Sequence, residues 1–91
     1  MAERTVVIAS KAGLHARPAA LFTQAAARSG LVVRIAKGAQ GPVDAASILQ
    51  VMTLGAALGD TVTVSVEGPD EDRVLDELVT MLATDLDAVQ S

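Results

Sequence analysis

The sequence predicts a small two-layer α+β sandwich, with helices covering one face of a sheet and the other face left open. Three observations carry that prediction. Thr61 to Glu67 alternates: Val62, Val64 and Val66 face one way, Thr61, Thr63 and Ser65 the other, the pattern of a strand with one dry side and one wet side. Pro18 to Arg28 and Val74 to Leu86 instead keep their apolar residues at helical spacing. The elements follow one another as β-α-β-β-α-β-α, so helices are the only layer available to cover the apolar sheet face.

Each element has a local cause. Thr5-Val6-Val7-Ile8 is a β-branched run that stops at Ser10-Lys11-Ala12-Gly13, a strand entering a loop. Pro18 to Arg28 is a helix rich in alanine, with Leu21 over Ala25 and Phe22 over Ala26, ended at Ser29-Gly30. Leu31 to Ala36 is the second strand, presenting Leu31, Val33 and Ile35 on one face. Lys37 to Gly41 is a turn of hairpin length. The strand that follows, Pro42 to Ala45, carries a proline and so suits a sheet edge. Ser47 to Leu54 is a short helix stopped by Gly55. The last helix opens at Gly68-Pro69-Asp70-Glu71-Asp72, with proline in its first turn and acid facing the positive end of its dipole. Metal binding by Asp70, Glu71 and Asp72 is the alternative; Pro69 and the apolar stripe of Val74, Leu75, Leu78, Val79, Leu82 and Leu86 favour the helix start.

Composition narrows the chemistry. Residues 1–91 form a single domain without repeat or linker, and AVILMFWYC make up 51% of the chain in no run long enough to cross a membrane. No secretory leader is visible in the first ten residues, so the expectation is a cytoplasmic protein. A net charge of −4 and a single aromatic, Phe22, argue against nucleic-acid binding. With one histidine and no cysteine there is no zinc site, and no loop has the spaced aspartates of a calcium site. No cofactor or metal is expected.

The chemistry concentrates between Lys11 and Ala19. His15 stands where a glycine-containing loop enters a helix, at the N–H groups that lack intrahelical partners and at the positive end of the dipole. The N–H groups of Ala16 and Arg17 suit an anion there, and the Arg17 guanidinium matches phosphate oxygens. Pro18 disfavours a helical Arg17, a local conflict of the kind that functional sites tolerate. The same field disfavours an imidazolium, leaving a neutral ring with a lone pair free to act as a nucleophile. A phosphohistidine formed this way is surrounded by groups that stabilise charge and supply no base for hydrolysis, which suits carrying the group. Residue type alone does not select this reading; the heptapeptide does.

Gly13-Leu14-His15-Ala16-Arg17-Pro18-Ala19 resembles the active-site motif of HPr, the histidine-containing phosphocarrier of the bacterial phosphoenolpyruvate-dependent sugar phosphotransferase system. Ser47-Ile48-Leu49-Gln50-Val51-Met52-Thr53-Leu54-Gly55 is similar to that family's second signature, and the likeness extends over nearly the whole chain. The resemblance implies an open-faced sandwich whose four-stranded antiparallel sheet has the order 1-4-2-3, covered by three helices. It implies a monomeric carrier rather than an enzyme that turns over. His15 would accept phosphate on Nδ1 from phosphorylated Enzyme I and pass it to IIA domains of sugar permeases, with Arg17 contacting the phosphoryl group. Ile48, Leu49 and Met52 would form the surface that docks both partners; the alternative makes them ordinary core residues, with Val51 and Leu54 turned inward in either case.

Ser47 to Gln50 fits a capping box, the hydroxyl accepting from a helix N–H while Gln50 reaches back. In many family members the serine matching Ser47 is also the target of a regulatory serine kinase, and phosphate there would place about −1.5 to −2 charge beside the docking patch. Two positions depart from the family pattern: Ala12 stands where a hydroxyl or amide side chain is frequent, and Ala46 where a lysine is. Two other functions fit parts of this pattern. One is the carrier of a nitrogen-linked regulatory branch, which shares the motif; the other is a non-covalent metabolite-binding domain on a similar sandwich. The presence of His15 excludes a regulatory paralogue lacking the active histidine.

Overall fold

The computed structural model describes residues 2–9 and 16–84. Its elements run β1 (Ala2–Val7), α1 (Ala16–Arg28), β2 (Val32–Lys37), β3 (Gln40–Asp44), α2 (Ile48–Thr53), β4 (Thr61–Glu67) and α3 (Glu71–Leu82). The four strands form one antiparallel sheet in the order β1-β4-β2-β3. This is the open-faced α+β sandwich expected, with the 1-4-2-3 strand order.

Register explains the two faces. Val6 lies beside Val62, Ile35 between Val64 and Val43, and Val33 beside Val66, all on the side the helices cover. The opposite side carries rows such as Glu3, Ser65, Arg34 and Asp44, and Thr5, Thr63 and Ala36. Onto the apolar side α1 lays Ala19, Phe22 and Ala26, α3 lays Val74, Leu75, Leu78 and Leu82, and α2 contributes Val51. Full burial of side chains this size stabilises by about 1.5–3 kcal/mol each for the larger ones. Arg4, on the covered side but at the sheet's rim, reaches past it to donate to Asp76 of α3 at 2.6 Å. Both groups are well exposed, so the pair contributes at most about 1 kcal/mol.

Several boundaries differ from the sequence reading. β1 begins at Ala2, three residues earlier than its β-branched run, because Ala2 to Arg4 find partners in β4 that local propensity does not reveal. β2 and β3 are shifted by one or two residues for the same reason. α1 starts at Ala16 rather than Pro18: a first-turn residue needs no intrahelical acceptor for its N–H, so proline is tolerated with helical residues ahead of it. Arg17 is therefore helical despite preceding proline. Leu21 and Ala25 sit at the margin of the buried stripe, half-exposed, and Thr23 takes a buried place instead, donating to Ala20 O.

Pro69 lies in the turn before α3, not in its first helical turn. Gly68 takes φ +138° and Asp70 takes φ +60°, which bends the chain from β4 into α3 and delays the helix to Glu71. A side chain at position 68 would also bring a Cβ within 2.7 Å of Leu31 Cδ2. Glu71 and Asp72 do occupy the first turn of α3. Leu86, assigned to the stripe of this helix, lies outside the described residues.

The edge position of β3 follows from its hydrogen bonds. Ala45 donates to Val33 O at 3.0 Å, so by alternation the N–H groups at 44 and 42 point away from β2. Residue 42 is the proline, which has no N–H to leave unpaired.

Candidate functional site

Two anchored segments flank residues 10–15. On one side Ile8 exchanges hydrogen bonds with the turn before β4 (Ile8 N–H to Asp60 O and Gly59 N–H to Ile8 O, both 2.9 Å), and Ala9 donates to Leu82 O at the end of α3. On the other side α1 begins at Ala16 and is rooted at once by Pro18 and Ala19, both buried. Gly13, Leu14 and His15, and Ala12 before them, lie outside the described residues. Of the predicted phosphate-binding groups, Ala16 and Arg17 are placed in the first turn of α1, where backbone N–H groups have no intrahelical acceptor. The Arg17 side chain is on the exposed side of that turn.

The second signature forms α2 and its caps. Ser47, extended at φ −104° and ψ 112°, is the N-cap: its Oγ accepts from the Gln50 N–H at 3.4 Å and its carbonyl from the Val51 N–H at 3.0 Å. Only half of the expected capping box is present. The Gln50 side chain does not return to the Ser47 N–H, which donates instead to Asp44 O at 3.1 Å. Gln50 Oε1 accepts from the Asp44 N–H at 3.0 Å, the outward-facing donor of the β3 edge. Asp44 Oδ1 in turn accepts from the Ala46 N–H at 2.9 Å. The entry into α2 is thereby tied to the end of β3 at three points.

Along α2 and its C-cap the two inward residues are those expected, Val51 at 0% and Leu54 at 3% exposure. Ile48 (38%), Leu49 (75%) and Met52 (39%) are exposed, so the reading that made them core residues does not hold. A six-residue helix with this much apolar surface in water presents a patch suited to being covered.

One feature of this region was not read from the sequence. Lys37 Nζ, at the end of β2, donates to Gly55 O at 3.2 Å and to Asp60 Oδ2 at 3.4 Å, while the Ala57 N–H donates to the same carboxylate oxygen at 2.9 Å. This ties down the segment leaving α2. The Ala57 N–H holds the Asp60 carboxyl below the ordinary 3.8, Lys37 adds to the effect and partial burial opposes it. The only sequence signal was a charge pair of opposite sign 23 residues apart, which has no local signature.

Among the described residues no three His, Cys, Asp or Glu side chains gather as a metal site would require. The acidic cluster before α3 is dispersed: Asp70 lies 3.8 Å from Arg73, and Glu71 Oε2 accepts from the Ala2 N–H at 3.1 Å. No helix among the described residues is long and apolar enough to cross a membrane.

Residues 2–84 match the family model described as "PTS HPr component phosphorylation site". The chain is 40% identical to the phosphocarrier protein HPr of Streptomyces coelicolor over 96% of its own length and 94% of the relative's. Its fold superimposes on a crystal structure of HPr from Bacillus anthracis with a TM-score of 0.84, at 36% identity, covering 89% of this chain and 95% of the other. It also resembles a crystal structure of an HPr dimer from Thermoanaerobacter tengcongensis, with a TM-score of 0.67 at 42% identity, covering 89% of this chain and 92% of that one. The chain belongs to the HPr family, the phosphocarrier proteins of the bacterial phosphotransferase system.

Proposed function

We propose that this chain carries a phosphoryl group on His15, received from phosphorylated Enzyme I and delivered to IIA domains of sugar permeases. The observation that carries the reading is the heptapeptide Gly13 to Ala19, whose last four residues open α1, in a chain that matches the phosphorylation-site model over residues 2–84. In the forward step the lone pair on Nδ1 of a neutral His15 attacks phosphorus. The N–P bond forms as the bond to the donor breaks, and the donor leaves with the electron pair. Arg17 and the first-turn N–H groups of α1 hold the phosphoryl oxygens. In the second step the same bond breaks toward a nucleophile on IIA, and the ring returns to its starting state.

Ile48, Leu49 and Met52 dock both partners, because a carrier must present one face to its donor and to its acceptor. The protein acts stoichiometrically, as a monomer in the cytoplasm. Ser47, the α2 cap, stands beside this patch, so a phosphate added there by a serine kinase would weaken docking through charge.

Incubation with phosphoenolpyruvate and Enzyme I, followed by intact mass measurement, tests the reading. One added phosphate, lost in acid and kept in alkali, is expected. A metabolite-binding domain would show no added mass and would be stabilised by a ligand instead. Size-exclusion chromatography of the labelled protein is expected to give a monomer; a dimer peak contradicts the stated assembly.

A further inference from the structure

We infer that Gln50 is a positioning residue for partner docking: its side chain braces α2 against the β3 edge and so holds the Ile48, Leu49 and Met52 patch in its docking orientation. The inference rests on the reading of that patch as the partner surface.

Few contacts fix α2. The helix has six residues, Val51 is its one buried side chain, and Leu54 follows as the C-cap. It packs against α1 and β3. A helix this short has little stability of its own, so its orientation depends on what ties it down. Two apolar anchors a turn apart leave it free to rock about the line joining them. The Gln50 Oε1 to Asp44 N–H bond at 3.0 Å lies off that line and is made by the side chain between Leu49 and Val51. Its donor belongs to β3, which β2 in turn holds through Asp44, Val43 and Gln40. Gln50 is therefore the tie to the sheet made from within the helix, the Ala46 and Ser47 N–H groups holding only the residues ahead of it.

Among the described residues no other group accepts from the Asp44 N–H. Asp44 N–H points away from β2, and the Ser47 hydroxyl and the Asp44 carboxylate already accept from Gln50 N–H and Ala46 N–H. Breaking the brace leaves the Asp44 donor to solvent and the helix entry held by the Ser47 N–H on Asp44 O and the Ala46 N–H on Asp44 Oδ1.

The test compares Gln50→Met with Gln50→Glu. Methionine keeps length and loses the acceptor. Glutamate keeps the acceptor, and its charge at the third helical position suits both the cap and the dipole. Loss of one neutral hydrogen bond changes an opening equilibrium by about five-fold. Because apparent affinity scales with the fraction of molecules in the competent state, five-fold is the ceiling on the effect. In Enzyme I-dependent phosphorylation, Gln50→Met is expected to raise KM for the carrier up to about five-fold with kcat unchanged. Gln50→Glu should restore the wild-type KM, and amide exchange at Asp44 should quicken in the methionine variant alone. Equal KM for wild type and Gln50→Met overturns the inference. So does an equal rise in both variants, which would mean that the amide touches the partner directly. Failure of the wild-type chain to accept phosphate at all would instead sink the carrier reading, so the two failures are distinguishable.

Discussion

Phe22 is the single aromatic residue of the chain, and its side chain is fully buried between α1 and the sheet. Replacing it with alanine removes the largest side chain of the core at the middle of the helix that begins beside His15. The loss combines transfer and cavity terms, together about 3–5 kcal/mol for a buried Phe→Ala. A domain of 91 residues has about 5–14 kcal/mol of stability in all. Phe22→Ala should therefore lose a large share of this stability, with Tm lower by roughly 15–30 °C. With no Trp or Tyr in the sequence, the assay is urea denaturation followed by far-UV circular dichroism. The midpoint should fall sharply while the slope stays unchanged. A loss below about 1 kcal/mol would refute the view that this ring roots α1 in the core. Because Arg17 lies on the exposed side of the same helix, phosphorylation per folded molecule should survive the substitution.

Two further outcomes follow from the site. Arg17→Glu should lower the rate of phosphoryl transfer by about 100-fold, as loss of a group aimed at transition-state charge does. Its circular dichroism spectrum and urea midpoint should stay unchanged, because the side chain is exposed; global unfolding would contradict this. Asp60 has a folded pKa below the ordinary 3.8, so in acid the unfolded chain binds its proton first. Its contribution to stability is in full above 3.8 and disappears as pH falls through the lower folded value. Urea midpoints of wild type and Asp60→Asn should accordingly converge in acid; a constant gap across the whole pH range would count against the Ala57 and Lys37 contacts.

The legibility of this fold in its sequence follows the range of each interaction. β4 was readable to the residue because alternation between valine and hydroxyl side chains depends only on which face of one strand is wet. The Ser47 cap and the inward turn of Val51 and Leu54 were readable because a helix period is local. Ala2 to Arg4 were not, since nothing in their side chains announces a strand; they are ordered by pairing with residues sixty or more positions away. Pro69 misled for a related reason. Proline fits both a first helical turn and the turn before a helix, and the φ values of Gly68 and Asp70 decide between them. The strand order came from family resemblance, not from any pattern in the chain. Of the candidate site, the apolar patch of Ile48, Leu49 and Met52 came from family resemblance, since the helix period alone left those residues open to a place in the core. The Gln50 brace was not legible, because its direction depends on where β3 ends in space.

In the proposed function His15 alone bears the transferable phosphate. The most direct measurement compares wild type with His15→Ala in a relay from phosphoenolpyruvate through Enzyme I to a IIA domain. One acid-labile phosphate on the wild-type chain and full labelling of IIA are expected, with neither in the alanine variant although its urea midpoint is retained. Labelling of His15→Ala with wild-type kinetics, or relay that proceeds without that residue, would contradict that function.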